Sequence, residues 1–482
     1  MRIQFCGADR TVTGSCHLIE VNGLRIFLDM GMYQGPREEA RRINQYLPQD
    51  AHGVDAIILS HGHLDHCGKL PVVVRAGYAG PIYCTPATAD VARIVLLDAA
   101  EIQEEDADYL NRRARDAAAA KVEPLYRVFD AQAVLKQFRR AKYGAKTDLG
   151  NGVSFTFHDA GHIIGSAYIV LEWQEAGRNR SLLFTADVGR YKSPILRDPA
   201  PLPGVFEHVI TESTYGNRAH APMGEVGPQL LDALRHCIER KSRLLVPSFA
   251  VGRTQTILWY VHKFMNEGLV PRIPIFIDSP MGVEVTRVTT THEDLYDEET
   301  IKLLAETTSH SVTFATSSAQ SRQINAHSGA CVIIASSPTC EFGRILHHLK
   351  QSIERADDLI IFVGWTPHGT LGRRLQDGQR KVRIYDRWYD LKCQVRTIHG
   401  LSAHADAGEL LRFLGPTLKP QTTAFVVHGE PEEAEGFARR LLAAGVGQAH
   451  VPAMESSAFD LSADVPPTPA RPSEDVARTD ND

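Results

Sequence analysis

Short apolar stretches alternate with turn residues from Met1 to about Pro203, and most of them end in a polar residue. LRIFLDMG, DAIILSHGH, VSFTFHDAGH and SLLFTADVG each resemble a strand that ends in Gly, Asp or His. A segment from Thr88 to about Ala120 has apolar residues at helical spacing, which predicts a surface helix. Polar side chains at strand ends are typical of α/β folds, whose loops hold a site over a rigid sheet.

Beyond Pro203 the pattern changes to strands that alternate with longer helices. HVITEST, RLLVPSF and IPIFIDSP read as strands, with helices predicted over Val226–Arg240 and Arg253–Asn266. This order predicts a parallel sheet and therefore a second α/β domain. After about Ile384 short strands with polar ends return, in VRTIHGLSAH and TTAFVVHGE, so the second domain reads as an insertion into the first. The Pro-rich, acidic segment after about Ser456 predicts a disordered tail.

Composition narrows the class of protein. The chain has 482 residues, 43% hydrophobic and 23% charged, which is typical of a globular protein with two or more domains. No apolar run approaches the ~20 residues that span a bilayer, and the N-terminal residues lack a signal-peptide core, so we expect a cytoplasmic protein without a membrane partner. The eight cysteines include no C-x-x-C pair, which argues against disulfides and thiolate zinc sites. The net charge of -6 means that a nucleic-acid substrate needs a local basic groove or bound cations.

The strongest chemical signal is the segment SHGHLDHCG. His61, His63, Asp65 and His66 place four metal-ligand side chains within six residues, directly after an apolar strand. A single tetrahedral ion cannot easily use all four, whereas two neighbouring ions can. Other strand ends supply further candidates, because His162 follows FTFHDAG, Asp187 follows SLLFTA and His428 follows TTAFVV.

These motifs resemble the metallo-β-lactamase superfamily, from about Gly7 to Glu430. The resemblance implies an αββα sandwich with two zinc ions, and it assigns His61, His63 and His162 to one ion. Asp65, His66 and His428 are assigned to the other ion, and Asp187 to the bridge between them. Asp29 in FLDMG looks like the acid that supports the ligand loop by hydrogen bonding.

Within the superfamily the chain is similar to the β-CASP nucleases. Glu212 in TESTYGNR, His404 in GLSAH and His428 in VVHGE match the three motifs of that branch in order. The implied organisation is a metallo-β-lactamase domain over 1–205, an inserted α/β β-CASP domain over 206–384, completion of the first domain over 385–455, and a disordered tail over 456–482.

The implied activity is zinc-dependent hydrolysis of RNA, endonucleolytic or from the 5′ end, with water activated between two metal ions. The expected catalytic residues are Asp65, His404, Glu212 and Asp29, with His404 as general acid held protonated by Glu212. No cofactor other than the zinc ions is expected. The partner is RNA, expected to be single-stranded, and assembly as a homodimer is left open.

Other interpretations stay open. A hydrolase of the same fold can act on DNA, or on a small ester or thioester, and a non-catalytic scaffold subunit is a further alternative. Pro338, Thr339, Glu341 and Phe342 depart from the small residues usual in bacterial relatives, which we expect to alter the substrate groove. Arg190, Arg218, Arg253 and Arg373 are candidates for an RNA path.

Overall fold

The computed structural model describes residues 1–48, 50–113, 121–307, 312–364, 366, 369–453, 458–461 and 468–469. The chain divides into two compact units. Unit 1 contains Met1–Val188, Pro199–Ala219 and His404–Asp482, and unit 2 contains Gly189–Asp198 and His220–Ala403. Among the described helices, none is both long and apolar enough to cross a membrane.

The first part of unit 1 alternates strands and helices as the pattern predicts. Its strands are β1 (Arg2–Gly7), β2 (Cys16–Val21), β3 (Leu24–Leu28), β4 (Ala56–Ile58), β5 (Ile82–Cys84), β6 (Phe138–Arg140), β7 (Lys146–Gly150), β8 (Val153–Asp159), β9 (Ala167–Glu175), β10 (Arg178–Phe184) and β11 (His208–Thr211). Its helices are α1 (Arg37–Gln45), α2 (Leu64–Cys67), α3 (Leu70–Arg75), α4 (Pro86–Arg113) and α5 (Val128–Gln137). Helix α4 confirms most of the predicted surface helix, and positions 114–120 of that prediction lie outside the described residues.

Unit 2 alternates strands and helices. Its strands are β12 (Arg243–Pro247), β13 (Ile275–Asp278), β14 (Val312–Phe314), β15 (Cys331–Ala335), β16 (Leu359–Phe362), β17 (Lys381–Ile384), β18 (Arg387–Asp390) and β19 (Gln394–Thr397). Its helices are α6 (Val226–Glu239), α7 (Arg253–Asn266), α8 (Pro280–Thr289), α9 (Glu298–Thr307), α10 (Ser318–Ala326), α11 (Ile345–Ser352) and α12 (Leu371–Gln376). The chain then returns to unit 1 with α13 (Ala407–Leu414), β20 (Thr423–Val426), α14 (Pro431–Ala443), β21 (Gln448–His450), β22 (Ala458–Asp460) and β23 (Thr468–Pro469).

Unit 1 is built on two sheets that pack face to face. One sheet has the strand order β23-β22-β1-β2-β3-β4-β5-β6, and the other has the order β21-β20-β11-β10-β9-β8-β7. Strand β9 shows how each strand serves two layers, because Ile169 and Leu171 lie in the core between the sheets. Tyr168 and Val170 point the other way and pack with α13 and α14, including Phe413. Helices α3, α4 and α5 pack together beside β6 of the first sheet, which completes an αββα sandwich.

Strand β11 belongs to a different sheet from the one its sequence pattern suggests. HVITEST precedes a helix and a strand, as in the inserted α/β domain, yet His208–Thr211 pairs in parallel with β10 and β20 of unit 1. Strand β11 lies between β10 and β20 inside the sheet, and all four of its residues are buried.

Part of the segment expected to be a disordered tail is a strand. Ala458–Asp460 pairs antiparallel with β1, and Phe459 lies among Phe5 and Phe425, with ring centroids 5.9 and 4.8 Å away. Ala458, Phe459 and Leu461 are buried, and together they remove enough apolar surface from water to order this segment, which the Pro-rich composition of the surrounding residues obscures. Residues 454–457, 462–467 and 470–482 lie outside the described part of the chain.

Unit 2 confirms the predicted parallel sheet. Its strand order is β14-β13-β15-β12-β16-β19, and every pairing in it is parallel. The helices predicted over Val226–Arg240 and Arg253–Asn266 are present as α6 and α7. Strands β17 and β18 form a separate antiparallel hairpin, whose buried face packs into the core of this unit.

Candidate metal centre

The seven candidate ligands lie in the segments that follow four strands of unit 1. His61, His63, Asp65 and His66 follow β4, His162 follows β8, Asp187 follows β10 and His428 follows β20. Strands β8, β10 and β20 run in the same direction within one sheet, so their carboxyl ends meet at one edge. Such an edge is where open α/β sheets bind ligands, because loops there can converge over the sheet.

Three histidines and Asp187 form the first group of candidate ligands. The Nε2 of His61 lies 3.1 Å from the Nδ1 of His63, which in turn lies 3.3 Å from the Nε2 of His162. Asp187 Oδ2 lies 3.5 Å from His61 Nε2 and 3.4 Å from His162 Nε2. Four donor atoms thus face a common point, as the sequence motifs imply for the first ion.

The second group contains Asp65, His66 and His428. The Nε2 atoms of His66 and His428 lie 3.3 Å apart, and His428 Nε2 lies 3.6 Å from Asp65 Oδ2. Asp187 joins this group as well, because its Oδ2 lies 3.4 Å from His66 Nε2 and its Oδ1 lies 3.5 Å from His428 Nδ1. The Asp187 carboxylate therefore stands between both groups, in the position of a bridge.

These distances fit zinc. Two ligands ~2.0–2.1 Å from a tetrahedral zinc ion lie roughly 3.3–3.4 Å apart, close to the donor separations in both groups. The Nε2 atoms of His66 and His428 face each other at 3.3 Å, the separation expected of two ligands of one ion. Asp187 Oδ1 is buried and accepts no hydrogen bond, so it has an unused lone pair in this centre. The side chains present can hold two such ions.

The Asp29 carboxylate supports the loop that carries His61 to His66 by hydrogen bonding. Its Oδ2 lies 2.7 Å from His66 Nδ1 and accepts hydrogen bonds from the hydroxyls of Ser15 and Ser60, while its Oδ1 accepts from the Ser60 amide. Asp29 is fully buried and has a positive φ of 62°, which turns the chain directly after β3. A carboxylate on the far nitrogen of a ligand histidine fixes its tautomer, as Asp29 is expected to do.

Two hydroxyl residues in this centre were not predicted from the sequence. Ser60 Oγ lies 3.0 Å from His61 Nδ1 as well as contacting Asp29, and Thr214 Oγ1 lies 3.2 Å from His428 Nδ1. Each hydroxyl contacts the Nδ1 of one candidate ligand and so helps to fix the orientation of that imidazole ring. The available signal was position, because Ser60 directly precedes the first histidine and Thr214 follows Glu212 by two residues.

His404 and Glu212 form a third pair beside the ligands. His404 Nδ1 lies 3.2 Å from Glu212 Oε2 and 3.8 Å from Asp187 Oδ2. Glu212 is itself fixed, since its Oε1 accepts from the Val188 amide at 2.7 Å. Burial acts to lower the pKa of His404, but the charges of Glu212 and Asp187 outweigh it and raise that pKa to about 9.

Burial and charge set the protonation of the ligands themselves. Burial holds the pKa of His61 well below its usual range and lowers the pKa of His63 to about 4. His66 also feels burial, but the Asp187 and Asp29 carboxylates outweigh it and hold its pKa well above the usual range. His66 is therefore protonated in the metal-free chain, and a cation bound there replaces that proton.

The arginines suggested for an RNA path have structural partners. Arg190 is buried and donates to the Gly400 carbonyl at 2.6 Å, within unit 2. In unit 1 the Arg218 guanidinium donates to Glu433, and in unit 2 Arg373 pairs with Asp377 at 3.0 Å. Each of these three arginines therefore has a structural role that does not depend on RNA binding.

The segment that departs from bacterial relatives packs against α12. The Glu341 carboxylate accepts a hydrogen bond from the Leu371 amide, and the Thr339 carbonyl accepts one from the Gly372 amide at 2.8 Å. Phe342 is 60% exposed. The Glu341 carboxylate therefore satisfies the Leu371 amide in the first turn of this helix, which explains why a carboxylate is stable at this position.

Three family models match the chain in order. They describe a metallo-beta-lactamase superfamily domain over residues 18–200, a Beta-Casp domain over 254–375, and a Zn-dependent metallo-hydrolase RNA specificity domain over 388–452.

Similar proteins span nearly the whole chain. Ribonuclease TTHA0252 of Thermus thermophilus is 34% identical over 92% of this chain and 97% of its own length. Transcription termination factor FttA of Methanosarcina mazei is 29% identical over 89% of this chain and 67% of its own length, and FttA of Methanocaldococcus jannaschii is 29% identical over 94% and 70%. A crystal structure of a protein of unknown function from Enterococcus faecalis has a similar fold, with a TM-score of 0.54 at 12% identity over 94% of this chain and 98% of that one. The chain is thus a metal-dependent hydrolase that belongs to the β-CASP branch of the metallo-β-lactamase superfamily.

Proposed function

We propose that the chain cleaves phosphodiester bonds in RNA with two zinc ions, held by His61, His63, His162, Asp65, His66 and His428 and bridged by Asp187. One observation carries the proposal: these seven side chains form two groups of converging donor atoms that share Asp187. The RNA substrate is supported by the match to an RNA specificity domain and by the ribonuclease among the relatives.

Two zinc ions bound in this centre would supply the positive charge that ionises water near neutral pH and that binds the phosphoryl oxygens. The chain's own part is to hold the donor atoms in place. Asp29, Ser60 and Thr214 orient the rings of His66, His61 and His428, so little rearrangement is needed on binding. Since all these groups are buried or nearly so, water competes weakly with the ligands.

His404 is the proposed proton donor to the oxygen that leaves. Its contact with Glu212 through Nδ1 places the shared proton on that nitrogen and fixes the plane of the ring. The Glu212 carboxylate favours the imidazolium, whose second proton lies on Nε2 and is the one to be given to the leaving oxygen. Esters with a good leaving group need this donor less, so a chain built for phosphodiesters benefits most from it.

Several finer expectations stay proposals with this function. We propose single-stranded RNA as the substrate and a cytoplasmic location. The domain boundaries expected at 205, 384 and 455 stay predictions, and they differ from the limits of the two compact units at 219 and 403. Assembly as a homodimer stays an open prediction. Internal cleavage and cleavage from the 5′ end differ only in the products that appear, so one experiment distinguishes them.

The test is cleavage of an end-labelled single-stranded RNA by the zinc-loaded wild-type protein and by Asp65→Ala. Matched DNA, a thioester and nitrocefin serve as alternative substrates. We expect RNA to be cut by the wild type alone, and the ladder of products shows the mode of cleavage. Hydrolysis of DNA or of a small ester in preference to RNA would overturn the substrate, and inactivity of the zinc-loaded wild type toward all of them would favour a scaffold.

A further inference from the structure

The hairpin β17–β18 in unit 2 has one buried and one exposed face. Val382 pairs with Tyr389 and Ile384 is next to it on the same face, and all three lie in the core of the unit. On the opposite face Arg383 pairs directly with Trp388. Directly opposite residues of an antiparallel pair share a face, so Arg383 and Trp388 both lie on the outer face of the hairpin.

Two large aromatic rings on this hairpin are exposed to solvent. Trp388 is 62% exposed, and Tyr385 in the two-residue turn is 55% exposed. His347 and Lys350 of helix α11 lie beside this turn. The ring centroid of His347 lies 6.0 Å from that of Tyr385, and Lys350 Nζ lies 5.0 Å from the Tyr385 centroid. Exposed aromatic rings grouped on one short hairpin mark a binding surface more often than apolar residues scattered singly do.

The same hairpin is strongly basic. Residues 380–392 contain five lysines and arginines and two aspartates, in a chain whose net charge is -6. Lys381 pairs with Asp390 at 3.7 Å and Arg383 with Asp386 at 3.5 Å, all of them well exposed. Exposed pairs of this kind are worth about 0–1 kcal/mol, so a phosphate can replace the aspartate at little cost.

We propose that this surface, made of Lys381, Arg383, Tyr385, Trp388, His347 and Lys350, binds single-stranded RNA. Bases stack on Trp388 and Tyr385, while the cations contact the phosphates between them. Rings and cations interleaved in this way bind unpaired strands, because a duplex keeps the faces of its bases covered. The choice of RNA rests on the proposed function, and it agrees with the RNA specificity domain whose match begins at residue 388.

A second copy of the chain fits this surface less well. A two-fold contact would place the same patch against itself and bring like charges together. An acidic protein satisfies the cations but gives no reason for two exposed rings flanked by them. None of the six residues is a candidate metal ligand, so the surface is a separate contact for the strand.

Binding is measured with a fluorescently labelled single-stranded RNA and full-length, zinc-loaded protein that carries His404→Ala, which is expected to keep its metal ions and to slow cleavage. Adding Trp388→Ala is expected to weaken binding about 5- to 100-fold, the effect of one lost stacked base. Trp388→Phe keeps a ring and should retain most of the affinity. Tyr46→Ala and Phe129→Ala remove rings that are 69% and 62% exposed elsewhere in the chain and should leave affinity unchanged.

Salt gives a second readout. Arg383→Ala is expected to lower the dependence of log Kd on log salt by about 0.7, the contribution of one phosphate contact on a single strand. Hydrolysis of bis(p-nitrophenyl) phosphate by Trp388→Ala and Arg383→Ala in the otherwise wild-type chain shows that the fold and the metal centre are intact.

The outcomes separate this proposal from the proposed function. If the wild type cuts RNA but Trp388→Ala binds it within twofold of its parent, the surface is not an RNA site and the nuclease assignment stands. Loss of self-association rather than of RNA binding in Trp388→Ala would likewise overturn the surface. If the wild type neither cuts nor binds RNA, both proposals fail.

Discussion

The Nδ1 of His404 lies 3.2 Å from Glu212 Oε2, in a pair that stands beside the seven candidate ligands without belonging to them. The proposed proton donor and the proposed metal ligands are therefore different residues. Because Glu212 is anchored by the Val188 amide, its charge stays directed at the imidazole. The two roles can therefore be removed independently by substitution.

His404→Ala should keep its metal ions and lose about 10² to 10⁴-fold in kcat on RNA, the contribution of a general acid. Metal content and kcat are measured on the same preparation. His399→Ala, which removes an exposed histidine five residues earlier, is the control and should change neither. Unchanged turnover of His404→Ala would remove this residue from the mechanism.

The pH profile gives the same pair a signature. The pKa of His404 is raised, so its proton is held below that pKa and lost as pH rises through it. In Glu212→Gln the anion is gone, and the alkaline limb of the kcat profile should move to lower pH. A shift toward higher pH would contradict the role of Glu212.

Asp29→Asn should weaken zinc binding about 10- to 100-fold, because His66 loses the carboxylate that fixes its tautomer. Competition with a chelator measures the affinity. Asp90→Asn changes an aspartate paired with Arg140 on the surface and should leave zinc affinity as in the wild type. Equal affinities in both variants would show that Asp29 has no influence on the metals.

The carboxyl group of Asp98 on helix α4 is expected to destabilise the protein at neutral pH. Burial, with Glu101 and Glu105 nearby, raises its pKa to about 6. A carboxyl group whose pKa is raised on folding favours the folded state below about pH 4, and this contribution is lost as pH rises through 6. Asp98→Asn should therefore raise the free energy of unfolding by roughly 1–3 kcal/mol at pH 7.5 and little at pH 4. Asp108→Asn, exposed on the same helix, is the control, and an equal gain at both pH values would contradict this account.

Phe459→Ala tests whether β22 contributes to the fold. Phe459 is 5% exposed and packs on Phe5 and Phe425, so its loss should cost about 3–5 kcal/mol of unfolding free energy. Denaturant unfolding measures it, with Arg439→Ala at an exposed position of α14 in the same unit expected to change stability by less than about 0.5 kcal/mol. A loss no larger than that of the control would mean that the strand is dispensable.

The ligand set was accessible from the sequence because each ligand directly follows an apolar strand. His162 and His428 are 266 positions apart, yet β8 and β20 run in the same direction in one sheet, so polar residues at strand ends were enough to suggest the site. Supporting contacts were not accessible: Ser15, directly before β2, donates to Asp29, and no local pattern marks a serine as a partner of a distant carboxylate. Likewise the pairing of β11 depends on neighbours in space, and a short apolar run fits either sheet.

The metal content of the chain tests the proposed pair of zinc sites that share Asp187. Zinc per chain is measured by mass spectrometry after dialysis, for the wild type and for Asp187→Ala. We expect close to two zinc ions per wild-type chain and a marked loss in Asp187→Ala, together with loss of RNA cleavage. A fully active wild type with one zinc ion, or an Asp187→Ala variant that retains both, would contradict this proposal.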